Sequence, residues 1–206
     1  SAWNFDFVAL ICLSTLIATL GLMQNSAAVV IGAMLVAPLM TPLIACGMSV
    51  VQGNGRLIRE ASRSVLLGFL LALAIATAMG FVIGELFPQS GLTPQMMARG
   101  RPNVLDLGVA FVSGIAAAYA TARPNLSGAL PGVAIAAALV PPISTSGVAL
   151  AHGDVVTSAG AALLFLTNIV AIVLGAAIDN MPQDGIADAV SDAQLNSNVN
   201  GNQWRA

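Results

Sequence analysis

Two short stretches of this 206-residue chain set proline beside hydroxyl side chains inside otherwise apolar runs. They are Ala37-Pro38-Leu39-Met40-Thr41-Pro42 and Val140-Pro141-Pro142-Ile143-Ser144-Thr145-Ser146. Proline inside a helix removes a backbone hydrogen bond and clashes with the preceding turn. Main-chain groups freed in this way are costly in an apolar medium unless water, a ligand or protein satisfies them. Half-helix N-termini present N–H donors and suit anions. Freed carbonyls and hydroxyls suit cations. The residue types leave that choice open. Pro38, Thr41, Pro42, Pro141, Pro142, Ser144, Thr145 and Ser146 are therefore the candidate lining of a solute or ion path. The plainer alternative is a pair of kinked helices patched by their own hydroxyls.

Five further polar residues are candidates for a mouth or a support: Asp6, Asn25, Asp106, Asn125 and Asn168. Asp6 and Asp106 stand at the first turn of an apolar run, where the helix dipole stabilises a carboxylate by about 0.3–1 kcal/mol. Asn25 and Asn125 occupy polar turns, where capping is the simplest role. Asn168 is a polar residue in an uncharged run and reads as interhelical glue. His152 is the single histidine, and no H-E-x-x-H, G-x-S-x-G or Cys/His spacing appears. The chain contains no lysine, which removes Schiff-base and Ser–Lys chemistry. Cys12 and Cys46 lie in apolar runs and read as small hydrophobes. No catalytic residue, metal ligand set or cofactor is expected, and the chain is not expected to be an enzyme.

The elements that must hold these residues follow from composition. Only 8% of residues are charged, 57% are hydrophobic and the formal net charge is −2; mean hydropathy is +0.88. A soluble domain carries about 25% charged residues. The low charge excludes an ordinary water-soluble enzyme, and the slightly acidic balance offers nucleic acid no basic stripe. A helix crossing the hydrocarbon core needs about 20 apolar residues. Six runs satisfy that: 5–23, 27–51 with Pro38 and Pro42, 64–83, 105–122, 128–151 with Pro141 and Pro142, and 155–178. They are continuous rather than striped, so they read as spans. No run shows the alternation of a membrane β-strand. Residues 52–63 read as a polar loop, 84–104 as a connecting loop and 179–206 as a polar flexible tail. Trp3 and Trp204 flank the apolar block. Arg56, Arg59, Arg63, Arg123 and Arg205 fall on one side of a six-span arrangement, and Arg99 and Arg101 on the other. The excess of positive charge places both termini in the cytoplasm.

The chain also repeats itself at an offset of 100 residues. Asp6 pairs with Asp106, Asn25 with Asn125, Gly32 with Gly132, Pro42 with Pro142, Gly47 with Gly147 and Gly53 with Gly153. Each half has a span, a proline-broken span and a further span. Three spans per half is an odd number, so the halves would enter the membrane from opposite faces, an arrangement found in channels and secondary transporters. The expected fold is all-α: six transmembrane helices in two inverted three-helix repeats, 1–83 and 105–178. The two broken helices could meet on the pseudo-two-fold axis, or could be re-entrant hairpins.

The run Val29-Val30-Ile31-Gly32-Ala33-Met34-Leu35-Val36-Ala37-Pro38-Leu39-Met40-Thr41-Pro42 resembles a prokaryotic integral-membrane family described only as an uncharacterised hydrophobic domain. So does Gly132-Val133-Ala134-Ile135-Ala136-Ala137-Ala138-Leu139-Val140-Pro141-Pro142 with the following Gly147. The resemblance covers residues 5–178. It implies a bacterial or archaeal inner-membrane location and, for many members, a soluble cytoplasmic domain ahead of the spans, so the chain is expected to be a fragment. It implies no solute. The expected function is a transporter or channel for a small solute or ion, acting as a homo-oligomer in the bilayer. The rival is a membrane anchor or scaffold whose soluble domain does the work.

Overall fold

The computed structural model describes residues 5–87, 91–123 and 138–179. Among these residues every regular element is a helix: α1 (Phe5–Met23), α2 (Ala27–Val36), α3 (Met40–Val51), α4 (Gly55–Leu86), α5 (Pro94–Arg99), α6 (Val104–Ala122), α7 (Val140–Ala151) and α8 (Val155–Asp179). Asn125, Gly132, Trp3, Trp204, Arg205, the first part of the fifth expected span (128–137) and the expected tail over 180–206 lie outside the described residues.

Four helices, α1, α4, α6 and α8, are long and apolar enough to cross a bilayer, and α2 with α3 forms a fifth candidate bent by 57°. α7 is apolar but has 12 residues. These helices mark a multi-pass membrane protein. Their outward faces carry large apolar side chains such as Leu13, Leu66, Leu70, Leu163 and Leu166. Such a surface is a liability in water and ordinary against lipid.

Three local expectations are corrected. Residues 52–63 are not a loop, because α4 begins at Gly55 and carries Arg56, Arg59 and Arg63 on its first turns. Asn54 caps it by accepting from the Leu57 N–H at 3.3 Å, and Arg56 pairs with Glu60 one turn on at 3.3 Å. Polar residues end a membrane span without ending a helix, so α4 runs for 32 residues, about 48 Å. Within 84–104, α5 forms a short helix with Pro94 in its first turn. Finally, Pro141 and Pro142 do not interrupt a helix; they stand in the first turn of α7. Pro42 has the same place in α3. An N–H there has no intrahelical acceptor, so proline starts the helix at little cost. The break between α2 and α3 lies just upstream, at Ala37–Leu39, and α7 is entered through Ala138, whose φ is +43°.

The turns after α3 and α7 are built alike. Gly53 and Gly153 take φ of +65° and +73°. Asn54 N–H donates to Ser49 O at 3.0 Å, and Asp154 N–H to Ala149 O at 2.9 Å, each satisfying a helix-terminal carbonyl.

Glycines set the closest approaches. A Cβ on Gly47 of α3 would lie 2.7 Å from Cβ of Ala176 on α8. A Cβ on Gly147 of α7 would lie 2.6 Å from Cβ of Ala76 on α4. Each short helix thus packs against the long helix of the other half. α6 meets α8 through Gly114 against Ile172 and Gly175 against Phe111. The central core joins Leu39, Leu43, Ala72, Leu139, Val140, Ile143 and Phe165. Phe165 stacks on Phe69 with ring centres 4.9 Å apart. From Val140 to Ala149, α7 is buried throughout, making it the axis of the bundle.

Candidate functional site

Two cavities reach toward the proline breaks from opposite ends of the bundle. The first, about 620 Å³, lies where α1 and α4 begin and α3 ends. One face of α3 lines it, through Thr41, Pro42, Ala45, Met48, Ser49 and Gln52, a spacing of three to four residues that keeps side chains on one side of a helix. Pro38, Phe7, Leu10 and Glu60 complete the wall. The Ser49 hydroxyl is satisfied by the Ala45 carbonyl at 2.5 Å, and the Glu60 carboxylate by Arg56.

The second cavity, about 380 Å³, lies at the other end, beneath α5. Its wall includes Arg99, Asn103, Asp106, Ala138, Pro142 and Asn168. α5 is tied across this end. The Thr93 hydroxyl donates to Leu22 O at 2.9 Å, and Gln95 Nε2 to Asn25 O at 2.9 Å. Met96 is fully buried against Leu22, Val30, Met34 and Val148. Gly100 rests on Gly160 and Thr157 at the start of α8. Arg99 Nη1 donates to Gln95 O at 2.8 Å. Burial of the guanidinium holds its pKa below the ordinary arginine value. Asp106 is the fourth residue of a capping box. Its Oδ2 accepts from Asn103 N–H at 2.9 Å, while Asn103 Oδ1 accepts from Leu105 and Asp106 N–H at 2.8 and 3.0 Å. The cap reading of Asp106 therefore applies, and the same carboxylate faces a cavity. Asn168, 4% exposed, reaches that cavity from α8.

Between the cavities the two proline regions meet across a narrow space. Ala37, Leu39 and Met40 face Leu139 and Val140 across a gap of about 10 Å³, with Met34 closing one side. That is the size of a single water and offers it no polar side chain. The two proline regions thus meet at a narrow seam of apolar side chains. One freed carbonyl at the end of α2 is matched inside the protein: Ser14 Oγ of α1 donates to Ala33 O at 2.8 Å. The prolines also limit what the N-terminus of α7 can offer an anion. Pro141 and Pro142 remove two of the first three N–H donors of α7.

The three hydroxyls of α7 lie one turn beyond the seam. Ser146 Oγ bonds Ser158 Oγ of α8 at 3.0 Å. Ser144 and Thr145 are fully buried, and their hydroxyls have no hydrogen-bond partner. Each such group costs about 1–3 kcal/mol in a dry interior. Other buried hydroxyls are satisfied, across helices as for Ser14 and Ser146 or by back-bonding along the helix, as for Thr15 to Ile11 O at 2.7 Å and Thr19 to Thr15 O at 2.8 Å.

The remaining candidates are peripheral. Asp6 is exposed in the first turn of α1. Asn25, φ +53°, closes the C-terminal end of α1 as a left-handed residue, with Ser26 N–H donating to Gly21 O at 2.8 Å. Pro141 is buried in the α7 wall rather than in either cavity. His152 caps the end of α7, its Nδ1 3.0 Å from Val148 O. The Asp154 carboxylate accepts from Thr157 N–H and Oγ1, which hold its pKa below the ordinary carboxylate range.

Sequence reasoning missed Arg99, Asn103, Ser49, Gln52 and Glu60 as cavity residues. For Arg99 a signal existed: Pro94 at a helix start, followed within six residues by Gly100, brackets a short helix.

No solved structure matches the chain. It is 30% identical over 169 residues to an uncharacterized protein of Methanocaldococcus jannaschii, an alignment covering 82% of this chain and 51% of that protein. The chain therefore spans about half the length of the curated relative it matches. Residues 34–174 match a family described as a domain of unknown function, DUF389. That match takes in both proline breaks, the apolar seam and the buried hydroxyls of α7, and the chain belongs to the DUF389 family.

Proposed function

We propose that the protein is a membrane channel or transporter for a small solute or ion, held closed at the seam between the two proline breaks, and not an enzyme. The observation that carries this reading is an open cavity lined by Pro38 and Thr41, an apolar constriction at Leu39, Leu139 and Val140, and a second open cavity lined by Ala138 and Pro142. Hydrophobic constrictions of this kind gate by excluding water. The buried hydroxyls of Ser144 and Thr145 fit the same picture, because they gain partners only when water or solute enters.

An inverted repeat organises the path in this reading. Its support is the matched pair of turns after α3 and α7, and the reciprocal seating of Gly47 on Ala176 and Gly147 on Ala76. Arg56, Arg59, Arg63 and Arg123 gather at the end that bears the first cavity, so that end and both described chain termini face the cytoplasm. The membrane is the prokaryotic plasma membrane. The assembly is a homo-oligomer, for which Gly108 on the outer face of α6 leaves open room for a second copy.

The dryness of the seam is also what a membrane anchor would have. Vesicle flux separates the two. Leu39→Ser combined with Leu139→Ser should wet the seam and raise uptake of rubidium or sulfate by about tenfold or more over the parent protein. A folded double variant whose vesicles are as tight as those of the parent would sink the path and leave the anchor.

A further inference from the structure

We propose that the cavity beneath α5 is a binding site for a small oxyanion, of the carboxylate, phosphate or sulfate class, with Arg99 as its main ligand. The proposal deepens the path reading by naming the class of solute that enters at this end.

The cavity is about 380 Å³, ample for a tetrahedral oxyanion with part of its hydration shell. Arg99 enters it from the last turn of α5, which is pinned at Thr93, Gln95 and Gly100, so the guanidinium sits on a fixed support. Among the described residues its one hydrogen bond is from Nη1 to the Gln95 carbonyl. The other N–H groups of the fork remain for a bidentate contact with a planar or tetrahedral oxyanion. Among the described residues the one arginine–carboxylate ion pair is Arg56–Glu60, far from this cavity. Arg99 therefore keeps a partly desolvated positive charge that no carboxylate neutralises within 4.0 Å. Desolvated cations of this kind are costly and mark sites where an anion completes the charge balance.

Asp106 is the obvious objection, since its carboxylate shares the wall. Its charge, however, is already committed to the Asn103 N–H and the start of α6, in the capping box. The positive end of that helix dipole offsets it. Asn168, 4% exposed, stands in the same wall from α8, where a charge introduced by substitution would be felt. The first cavity lacks this combination: no arginine is in its lining, and Glu60, which is, pairs with Arg56 on the exposed start of α4.

The test is equilibrium binding of radiolabelled sulfate to the purified full chain in neutral detergent, at constant ionic strength set with chloride. Saturable binding is expected. Arg99→Gln should weaken it by about tenfold or more, and Arg99→Lys should retain part, because the charge stays while the fork is lost. Arg101→Gln, at an exposed position two residues on, should bind within about twofold of the parent. If Arg99→Gln does not fold, Asn168→Asp provides the same test by placing a negative charge in the wall. Phosphatidylglycerol is then added as competitor. Sulfate retained against it assigns the site to a free oxyanion, and sulfate displaced through the same Arg99 assigns it to a lipid headgroup; both keep the site. Absence of saturable binding in the parent, or binding unchanged by both Arg99→Gln and Asn168→Asp, overturns the proposal. Flux is not read in this assay. A protein that binds sulfate yet conducts nothing loses the path reading alone.

Discussion

Thr145 and Ser144 are the side chains whose energetics are least explained by packing. Both are fully buried, and both hydroxyls lack a partner, whereas Ser14, Thr15, Thr19 and Ser146 each find one. An isosteric apolar replacement removes the unpaired group without leaving a cavity. Thr145→Val should therefore stabilise the protein by about 1–3 kcal/mol, read as a higher thermal midpoint in detergent. The same variant should lower flux through the seam-opened background Leu39→Ser with Leu139→Ser, because the hydroxyl would no longer line the wetted path. A stabilised variant with undiminished flux would confine Thr145 to a structural role. The hydroxyls were legible in the sequence as candidates, since three occur in succession after two prolines. Their lack of partners was not, because hydroxyls at such positions commonly bond back to their own helix, as Thr15 does here.

The helices themselves were read well where apolar runs were long. α1, α6 and α8 coincide closely with the expected spans. Misjudgement concentrated where polarity and helicity part company. The start of α4 is polar yet helical, since Arg, Leu and Glu favour helices and Asn54 supplies the cap. Proline marks the region and not the residue of the break: Pro38 stands in the 57° bend between α2 and α3, while Pro42 and Pro142 begin helices, where a missing N–H in the first turn costs little. The glycines at the offset of 100 make a paired test of how the short helices seat. Gly47→Ala and Gly147→Ala would each drive a Cβ into contacts at 2.7 and 2.6 Å, partly with backbone. Each should cost about 1–3 kcal/mol of stability. Gly32→Ala, inside α2 with nothing within 4 Å, should instead gain up to about 1 kcal/mol from helix propensity. Thermal unfolding of the three variants side by side checks the ordering, and an equal response at Gly32 and Gly147 would contradict the close seating of α7 on α4.

Across the assembled bundle, the first cavity faces one end and the second the other, with the seam between them. Thiol labelling in sealed vesicles tests that arrangement. With Cys12→Ala and Cys46→Ala as background, Ser49→Cys or Gln52→Cys should react with a membrane-impermeant maleimide from one face only. Asn103→Cys should react from the opposite face, and Leu139→Cys from neither. Labelling of Ser49→Cys and Asn103→Cys from the same face would dismantle the opposed-cavity arrangement. Both cavities depend on residues distant in sequence: the second assembles Arg99, Asp106, Pro142 and Asn168 from four helices or their ends.

What could be known from the order of residues alone was the medium and the units. A chain with 8% charged residues cannot coat itself for water, and runs of about 20 apolar residues must form helices to satisfy their backbone in lipid. The repeat at 100, the paired prolines and the three hydroxyls were equally visible, because each is a local pattern. Whether the space between the breaks is wet was not. That depended on which side chains face each other once the two halves interlock, and Leu39, Met40, Leu139 and Val140 close the gap to about 10 Å³. The placing of Arg99 and Asn168 in the wall of one cavity likewise required α5 to fold back over the bundle and be pinned to the α1–α2 turn and to α8. Burial and partnership are properties of contacts between distant segments, and no periodicity within one segment encodes them.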